Sequence, residues 1–507
     1  MVMKQNFNKF REREAKAAPT DQAKKFTFDV GWAFLSSVVA LFIGFLLSIV
    51  LARWLGAAGL GLYRMTLTIY GVGTLFATFG IPSALIKYIA EYKEDEEKIH
   101  QITSCSFINA VIIGLIAAVA FLFLAPFIAG IFKMPELSTL LKIIALAVPF
   151  ASLYQSQVGL LNGLREMKHF VVLMAGHSVL MCILIVTLVL LGFGVKGAIS
   201  GWVISVAGAC FLGSFLSRKF FKFNLRNYIQ NTKKILSFGG KMFSANAINQ
   251  INYQADILLI GYFLTATQVG YYAVAVSLSH FFWIIPDSTQ KIAYPAASEY
   301  WGNNNHAALQ TMIDKSMKYT ACALIPIGLG VGFFANDIIA TIYGEEFIHA
   351  VLPLLILIIG TVIVSIPKSL GATIAAVNRP DLEPKKIICS ASVNVVLNIL
   401  LIPRFGITGA AIATMCSLLI GGALHLFLTI RLTKVKINFA WYAKLGIMSL
   451  FVILVCFFLR QVNHHLAGII AFISIIAIIW IYFLSYEDKE YFHDLIKTIR
   501  SYFISRF

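Results

Sequence analysis

LGAAGLGLY, Leu55 to Tyr63, returns as LTATQVGYY, Leu264 to Tyr272. Two more pairs keep nearly the same offset. AEY at Ala90 to Tyr92 matches SEY at Ser298 to Tyr300, and GFGVKGAI at Gly192 to Ile199 matches RFGITGAA at Arg404 to Ala411. Partners stay roughly 208 to 212 residues apart, so the chain carries two copies of one unit. What fills that unit decides the fold.

The chain has 507 residues, of which 59% are hydrophobic and only 13% charged. A soluble chain would carry about a quarter charged residues, so this is an integral membrane protein on composition. No Ser/Gly/Pro-rich or single-sign run is long enough for a disordered linker. A spanning helix needs ~20 mostly apolar residues. Such runs number fourteen, near 28–52, 65–88, 104–130, 139–163, 169–192, 196–217, 238–264, 268–290, 316–335, 350–376, 384–402, 406–430, 440–460 and 464–486. One repeat holds six of them. Six is even, so both copies keep one orientation and are related by an axis along the membrane normal. The expected architecture is all-α: fourteen transmembrane helices in two pseudo-symmetric six-helix lobes, 26–217 and 238–432, plus two C-terminal helices in 433–486. A basic tail (1–25), a basic inter-lobe linker (218–237) and an amphipathic tail (487–507) complete it.

The net charge is +17. With the N-terminus inside, cytoplasmic segments hold about 32 of the 41 Lys and Arg and outer loops about 7. That alternation places both termini in the cytoplasm and reads as topology rather than nucleic-acid binding. The first 25 residues are polar and basic, unlike a secretory signal. The seven Cys form no CxxC pair, and His464 and His465 lack companion ligands, so neither disulfide nor zinc is expected.

These stretches resemble the polysaccharide (O-antigen-type) flippases of the multidrug/oligosaccharidyl-lipid/polysaccharide (MOP) exporter superfamily. The matching segments are LARWLGAAGLGLY, YQADILLIGYFLTATQVGYYAVA, YPAASEY and VNVVLNILLIPRFGITGAAIAT, in family order across about residues 26 to 486. The resemblance implies fourteen helices in a V-shaped pair of lobes that move lipid-linked sugars across the membrane. It implies no covalent chemistry and no cofactor, with Na+ or H+ as the candidate coupling ion. The implied setting is the plasma membrane of a bacterium or archaeon, with the protein a monomer among membrane lipids and working beside a glycan polymerase or glycosyltransferases. MATE drug exporters share the core fold, and a MATE-like cation-coupled exporter of small molecules is the alternative reading.

Two sets of polar residues stand inside the apolar runs. Asn394 and Asn398 are four apart, hence on one helical face. Counting ~1.5 Å per residue from Pro403, Gly406 and Leu264 puts Asn398 ~8 Å, Asn394 ~13 Å, and both Thr414 and Asp256 ~12 Å below the outer ends of their spans. A carboxylate at that depth is a functional hypothesis by default, and hard cations favour oxygen ligands. The set resembles the sodium site of lipid II flippases, which implies Asp256, Asn394, Asn398, the Ala410 carbonyl and Thr414 as ligands. Asn398 stands where those relatives can carry an acid, which lowers the site's negative charge. Interhelical hydrogen bonding is the plainer alternative, worth ~0.6 kcal/mol per pair.

Moving a diphosphate through hydrocarbon requires cationic partners. The candidates are Arg53, Arg64, Lys87, Lys241 and Lys291, with Lys368 a weaker one; the resemblance implies that spans 1, 2, 7 and 8 line the cavity. Arg53, Arg64 and Lys87 lie near span ends and could equally snorkel to headgroups. Lys291 is one turn from Asp287 and could pair with it. Tyr154, Gln155, Gln157, Gln250, Asn252 and Gln254 are open to either sugar contacts or helix–helix bonds. No outer loop is large enough for a catalytic domain, and no phosphate loop appears. The chain is therefore not expected to be an enzyme.

Overall fold

The structure, a computed structural model, describes residues 19–371, 373–459 and 464–490. Side chains are described from 39 to 455 and from 466 to 490, except at 245, 249, 251, 252, 292 and 372. The described residues hold helices and no strand. Asn252, Cys456, His464, His465 and most of both tails thus lie outside the described side chains. The other six Cys are free thiols.

Among the described residues, eight helices are long and apolar enough to cross a membrane. Three of them, Val39–Thr78, Met167–Ser217 and Leu382–Thr433, run 40, 51 and 52 residues. At ~1.5 Å per residue these are ~60–80 Å long, against a hydrocarbon core of ~30 Å. Each is interrupted by glycines with non-helical torsions: Gly56, Gly192 with Gly194, and Gly406. Gly194 (φ 57°, ψ −143°) and Gly406 (φ 59°, ψ −141°) stand at matching positions of the two repeats. Side chains are excluded from that backbone region, which makes it essentially a glycine position. The repeat is thus visible in backbone conformation as well as in sequence, and the chain is an α-helical, multi-pass membrane protein.

The helices group into two compact units: Met1–Ser277 with Asn394–Ala410, and Leu278–Val393 with Ala411–Phe507. The division falls beyond the 218–237 linker because that linker and the helix after it are bonded to the N-terminal helices. In the first unit Asn224 N donates to Ser104 Oγ at 2.9 Å, and Tyr228 Oη to Asn109 Oδ1 at 2.8 Å. Asn109 Nδ2 donates to Thr232 Oγ1 at 2.9 Å. Higher up, Thr68 Oγ1 donates to Gln254 Oε1 at 3.1 Å.

The opening motif also supplies this unit's tightest crossing. A Cβ on Gly61 would stand 1.7 Å from the Ala266 carbonyl oxygen, and one on Gly270 would stand 2.0 Å from that of Ala57. Gly61 corresponds to Gly270 in the repeat, and Ala57 to Ala266. The contact is therefore reciprocal, as a two-fold axis requires: each copy of the motif sets its glycine against the other copy's backbone.

The second unit closes on its C-terminal end. Ala321, Leu445, Val452, Ala471, Ile475, Ile479 and Phe483 form one buried cluster. Beyond it, Asp488 accepts hydrogen bonds from Tyr319 Oη at 2.8 Å, Ser485 N at 2.9 Å, Ser485 Oγ at 2.6 Å and the Lys318 ammonium. Burial would raise this carboxyl's pKa, but the bonds from Lys318, Ser485 and Tyr319 outweigh it and hold the group well below the usual carboxylate range. Asp488→Ala is expected to destabilise the protein by about 2–3 kcal/mol at neutral pH, the scale of hydrogen bonds to a charged group. A carboxyl depressed in the folded state stabilises above its unfolded pKa of ~3.9 and loses that contribution as pH falls further. The difference between wild type and variant should thus shrink in acid, read as thermal midpoints in detergent from pH 7 to pH 3.

Candidate functional site

The helix Tyr228–Phe263 ends at a turn, and Ala266–Ser279 begins the return. Asp256 and Tyr272 are each eight residues from Leu264, so the turn brings them to one depth. Tyr272 Oη donates to Asp256 Oδ2 at 2.9 Å, and Asn398 Nδ2 donates to Asp256 Oδ1 at 2.8 Å. Asp256, Tyr272, Asn394 and Asn398 are all buried. The sequence reading united Asp256 with the two asparagines but missed Tyr272, although the equal spacing about Leu264 was there to be read.

Asn398 Nδ2 also lies 2.9 Å from the Asn394 carbonyl oxygen and 3.1 Å from Asn394 Oδ1. One amide nitrogen therefore sits among three oxygens with two protons to share. The other end of that amide, Oδ1, is buried without a hydrogen-bond partner. Turning the amide over would place a fourth oxygen in the cluster, and only a cation could then hold the group together. Such a set of four oxygens would suit a small monovalent ion lying between them. Ala410 is buried in the same unit, whereas Thr414, partly buried, belongs to the other. Groups of three or more His, Cys, Asp or Glu able to hold a metal do not occur among the described residues.

Of the basic candidates, Arg64 and Lys87 stand well apart. Arg64 and Lys87 are 23 residues apart, ~35 Å of continuous helix, with a break at Phe79 and Gly80 between them. Arg53, Lys87, Lys241 and Lys291 are exposed, and Arg64 is half-buried. Lys87 Nζ stands 4.4 Å over the Phe238 ring and 5.0 Å over that of Tyr88. Arg64 Nη2 donates to the neutral Ser277 hydroxyl at 3.0 Å, and its Nε is buried without an acceptor. Asp287, expected beside Lys291, forms a 2.8 Å ion pair with Lys368 instead. Lys368 also lies 3.7 Å over the Trp283 ring, which accounts for a basic residue inside a span without any substrate. Gln254 and Gln157 bond from helix to helix, to Thr68 and Ser214.

A profile of the family described as polysaccharide biosynthesis protein matches residues 50–352. The chain is 25% identical over 423 residues to the Haloferax volcanii protein named probable low-salt glycan biosynthesis flippase Agl15, covering 82% of this chain and 84% of that one. It is 24% identical over 466 residues to stage V sporulation protein B of Bacillus subtilis, covering 84% and 87%. Among solved structures it superposes on lipid II flippase MurJ in an inward closed conformation with a TM-score of 0.70, at 17% identity, covering 90% of this chain and 99% of that one. The eukaryotic MATE transporter AtDTX14 gives 0.57 at 15% identity, covering 82% and 96%. At such identities the two structures speak for the fold alone. With the family match spanning more than half of it, the chain belongs to the family described as polysaccharide biosynthesis protein.

Proposed function

We propose that this protein flips isoprenyl-diphosphate-linked oligosaccharide from the cytoplasmic to the outer leaflet, its two repeats opening alternately to the two sides. Fourteen crossings follow if each long kinked helix counts as two, the bent pair Pro135–Ala145 and Val148–Gly163 as one, and Tyr228–Phe263 and Phe439–Leu459 are added. An even number keeps both termini on one side of the membrane, and the Lys/Arg bias makes that side the cytoplasmic one. The observation that carries the substrate class is Arg64, a guanidinium bonded to a neutral hydroxyl and left with a buried, unused donor. Such a group suits a phosphate oxygen, to which guanidinium binds strongly and with defined geometry. Arg53, Lys87, Lys241 and Lys291 would accompany the diphosphate from one end of its path to the other. Asp256, Asn394 and Asn398, with the Ala410 carbonyl, would hold a coupling sodium ion.

The test is flipping in proteoliposomes of an isoprenyl diphosphate bearing a nitrobenzoxadiazole-labelled sugar, followed by dithionite quenching. Wild type should expose the labelled inner-leaflet pool, and Arg64→Ala should slow it about tenfold or more, the kinetic equivalent of one hydrogen bond to a charge. A wild-type protein that leaves diphosphate-linked sugars in place but exports organic cations would establish the MATE-like alternative.

A further inference from the structure

In the second unit, where the helix Leu382–Thr433 starts and where its last turns run, lies a group of ionisable side chains that the proposed transport site does not use. Lys386 Nζ stands 2.7 Å from Glu383 Oε2 and 2.9 Å from His425 Nδ1. His425 is only 3% exposed. It is held there because the two preceding glycines let its helix close on its neighbours. A Cβ on Gly421 would touch Ser390, and one on Gly422 would stand 2.9 Å from Val364 Cγ2. An ammonium has only protons to give, so His425 Nδ1 is the acceptor and the ring is neutral, its proton on Nε2.

Glu383 has a second oxygen. Oε1 is buried, has no hydrogen-bond partner, and lies 3.7 Å from the same His425 Nδ1. An orphaned carboxylate oxygen beside an imidazole nitrogen already bonded elsewhere is costly to keep. It has an evident use if the imidazole changes partners. Were His425 Nδ1 to take a proton, it would repel Lys386 and donate to Glu383 Oε1. The charged groups around it are few: Glu383 and Lys386 facing it, Lys368 close enough to Lys386 for their charges to repel, and Asp287 neutralising Lys368. Arg379 and Asp381, paired at 3.0 Å, sit exposed at the start of the helix with Lys385. With His425 neutral, Glu383, Lys386, Lys368 and Asp287 balance to zero, so an added proton leaves one net positive charge that the new bond to Glu383 Oε1 has to offset.

We propose that His425, Glu383 and Lys386 form a binding site for one proton, and that occupancy of this site is linked to the transport cycle through the paired ends of Leu382–Thr433. The proton lands on His425 Nδ1, the Lys386–His425 bond breaks, and a His425–Glu383 bond forms. No electron moves, and the proton comes from water reaching Glu383, whose side chain is 25% exposed. The link to transport rests on the flippase reading; the proton site does not.

The site is tested first without transport. Full-length protein with 15N-labelled histidine is placed in lipid nanodiscs, and His425 is assigned by its absence in His425→Gln. Near pH 8, wild type should give the neutral signature with Nδ1 unprotonated. It should give an imidazolium signature as pH is lowered toward 5. Glu383→Gln removes the acceptor waiting for that proton and should cut the imidazolium-to-neutral ratio about tenfold at any given pH, since one opposite charge at this range is worth about one pK unit or more. Lys386→Met should raise the ratio. A His425 that stays neutral from pH 8 to pH 5 in wild type and in Lys386→Met overturns the site, as does a ratio indifferent to Glu383→Gln. The second arm measures flipping of the labelled isoprenyl-diphosphate sugar under imposed pH gradients. Wild-type rate should follow the gradient, and Glu383→Gln should flatten that response at least threefold. A normal proton titration with gradient-independent flipping would overturn only the link, and a protein that titrates without flipping this probe would overturn only the substrate reading.

Discussion

Leucine at Gly61 forces the two copies of the repeat motif apart and leaves a protein that folds but flips at least tenfold more slowly. The size of the effect comes from what the side chain would strike. A Cβ at 61 meets the Ala266 oxygen at 1.7 Å and its carbon at 2.6 Å, and one at 270 meets the Ala57 oxygen at 2.0 Å. Both obstacles are main chain, which cannot swing aside as a side chain can. Overpacking a tight contact costs about 1–3 kcal/mol even where neighbours can yield; here the cost belongs at the top of that range. If this crossing closes one side of the membrane during the cycle, the cost falls on the closed state alone, and 1.4 kcal/mol already shifts a two-state balance tenfold.

The reciprocity supplies a second reading of the same experiment. Gly61→Leu and Gly270→Leu should have similar effects, and the double variant should fall well short of their sum, because both open one crossing. Ala57→Cys, at a fully buried position, reports it directly. A water-soluble maleimide should label it slowly in the otherwise wild-type protein and several-fold faster with Gly270→Leu. Equal labelling in both would show that the crossing does not open, and fully additive effects would show that the two glycines act separately.

What the sequence could and could not disclose follows from the range of the forces involved. Apolar helices and the repeat were legible because hydropathy and offset are properties of the chain itself. The grouping of Asp256 with Asn394 and Asn398 was legible because depth can be counted along a helix from a turn. The role of Gly61 and Gly270 was not, although both lie in the motif that revealed the repeat, since close approach depends on which backbone arrives opposite. Lys368 and Asp287 mark the same boundary. Spacing along one helix favoured Asp287 with Lys291, but packing brings a residue from another helix to 2.8 Å. Glu383, Lys386 and His425 escaped notice because the first two open a helix like an ordinary charged cap, and the third is a lone histidine in an apolar run. Nothing in the sequence tells that the two ends of that hairpin meet.

Asp256 allows the remaining large effect to be divided between two roles by sign. If its carboxylate only ties helices together, through Tyr272 at 2.9 Å and Asn398 at 2.8 Å, then Asp256→Ala removes both ties, although Asn398 Nδ2 keeps the two Asn394 oxygens. The substitution should then destabilise by about 1–3 kcal/mol in all, whatever salt is present. If the cluster binds sodium, stability depends on the ion as well. Saturating a site at a hundred times its Kd adds about 2.7 kcal/mol, several degrees in thermal midpoint for a chain of this size. Wild type should therefore melt higher in sodium chloride than in choline chloride of equal strength. Asp256→Ala and Asp256→Asn should both lose that difference, and Asn394→Ala and Asn398→Ala should each reduce it. Tyr272→Phe separates the roles further. It removes a donor to the carboxylate and no necessary ligand, so it should weaken the tie while keeping, or strengthening, the response to sodium. A wild-type midpoint indifferent to sodium, with Tyr272→Phe and Asp256→Ala destabilised alike, would leave Asp256 as a helix tie and remove sodium from the transport scheme.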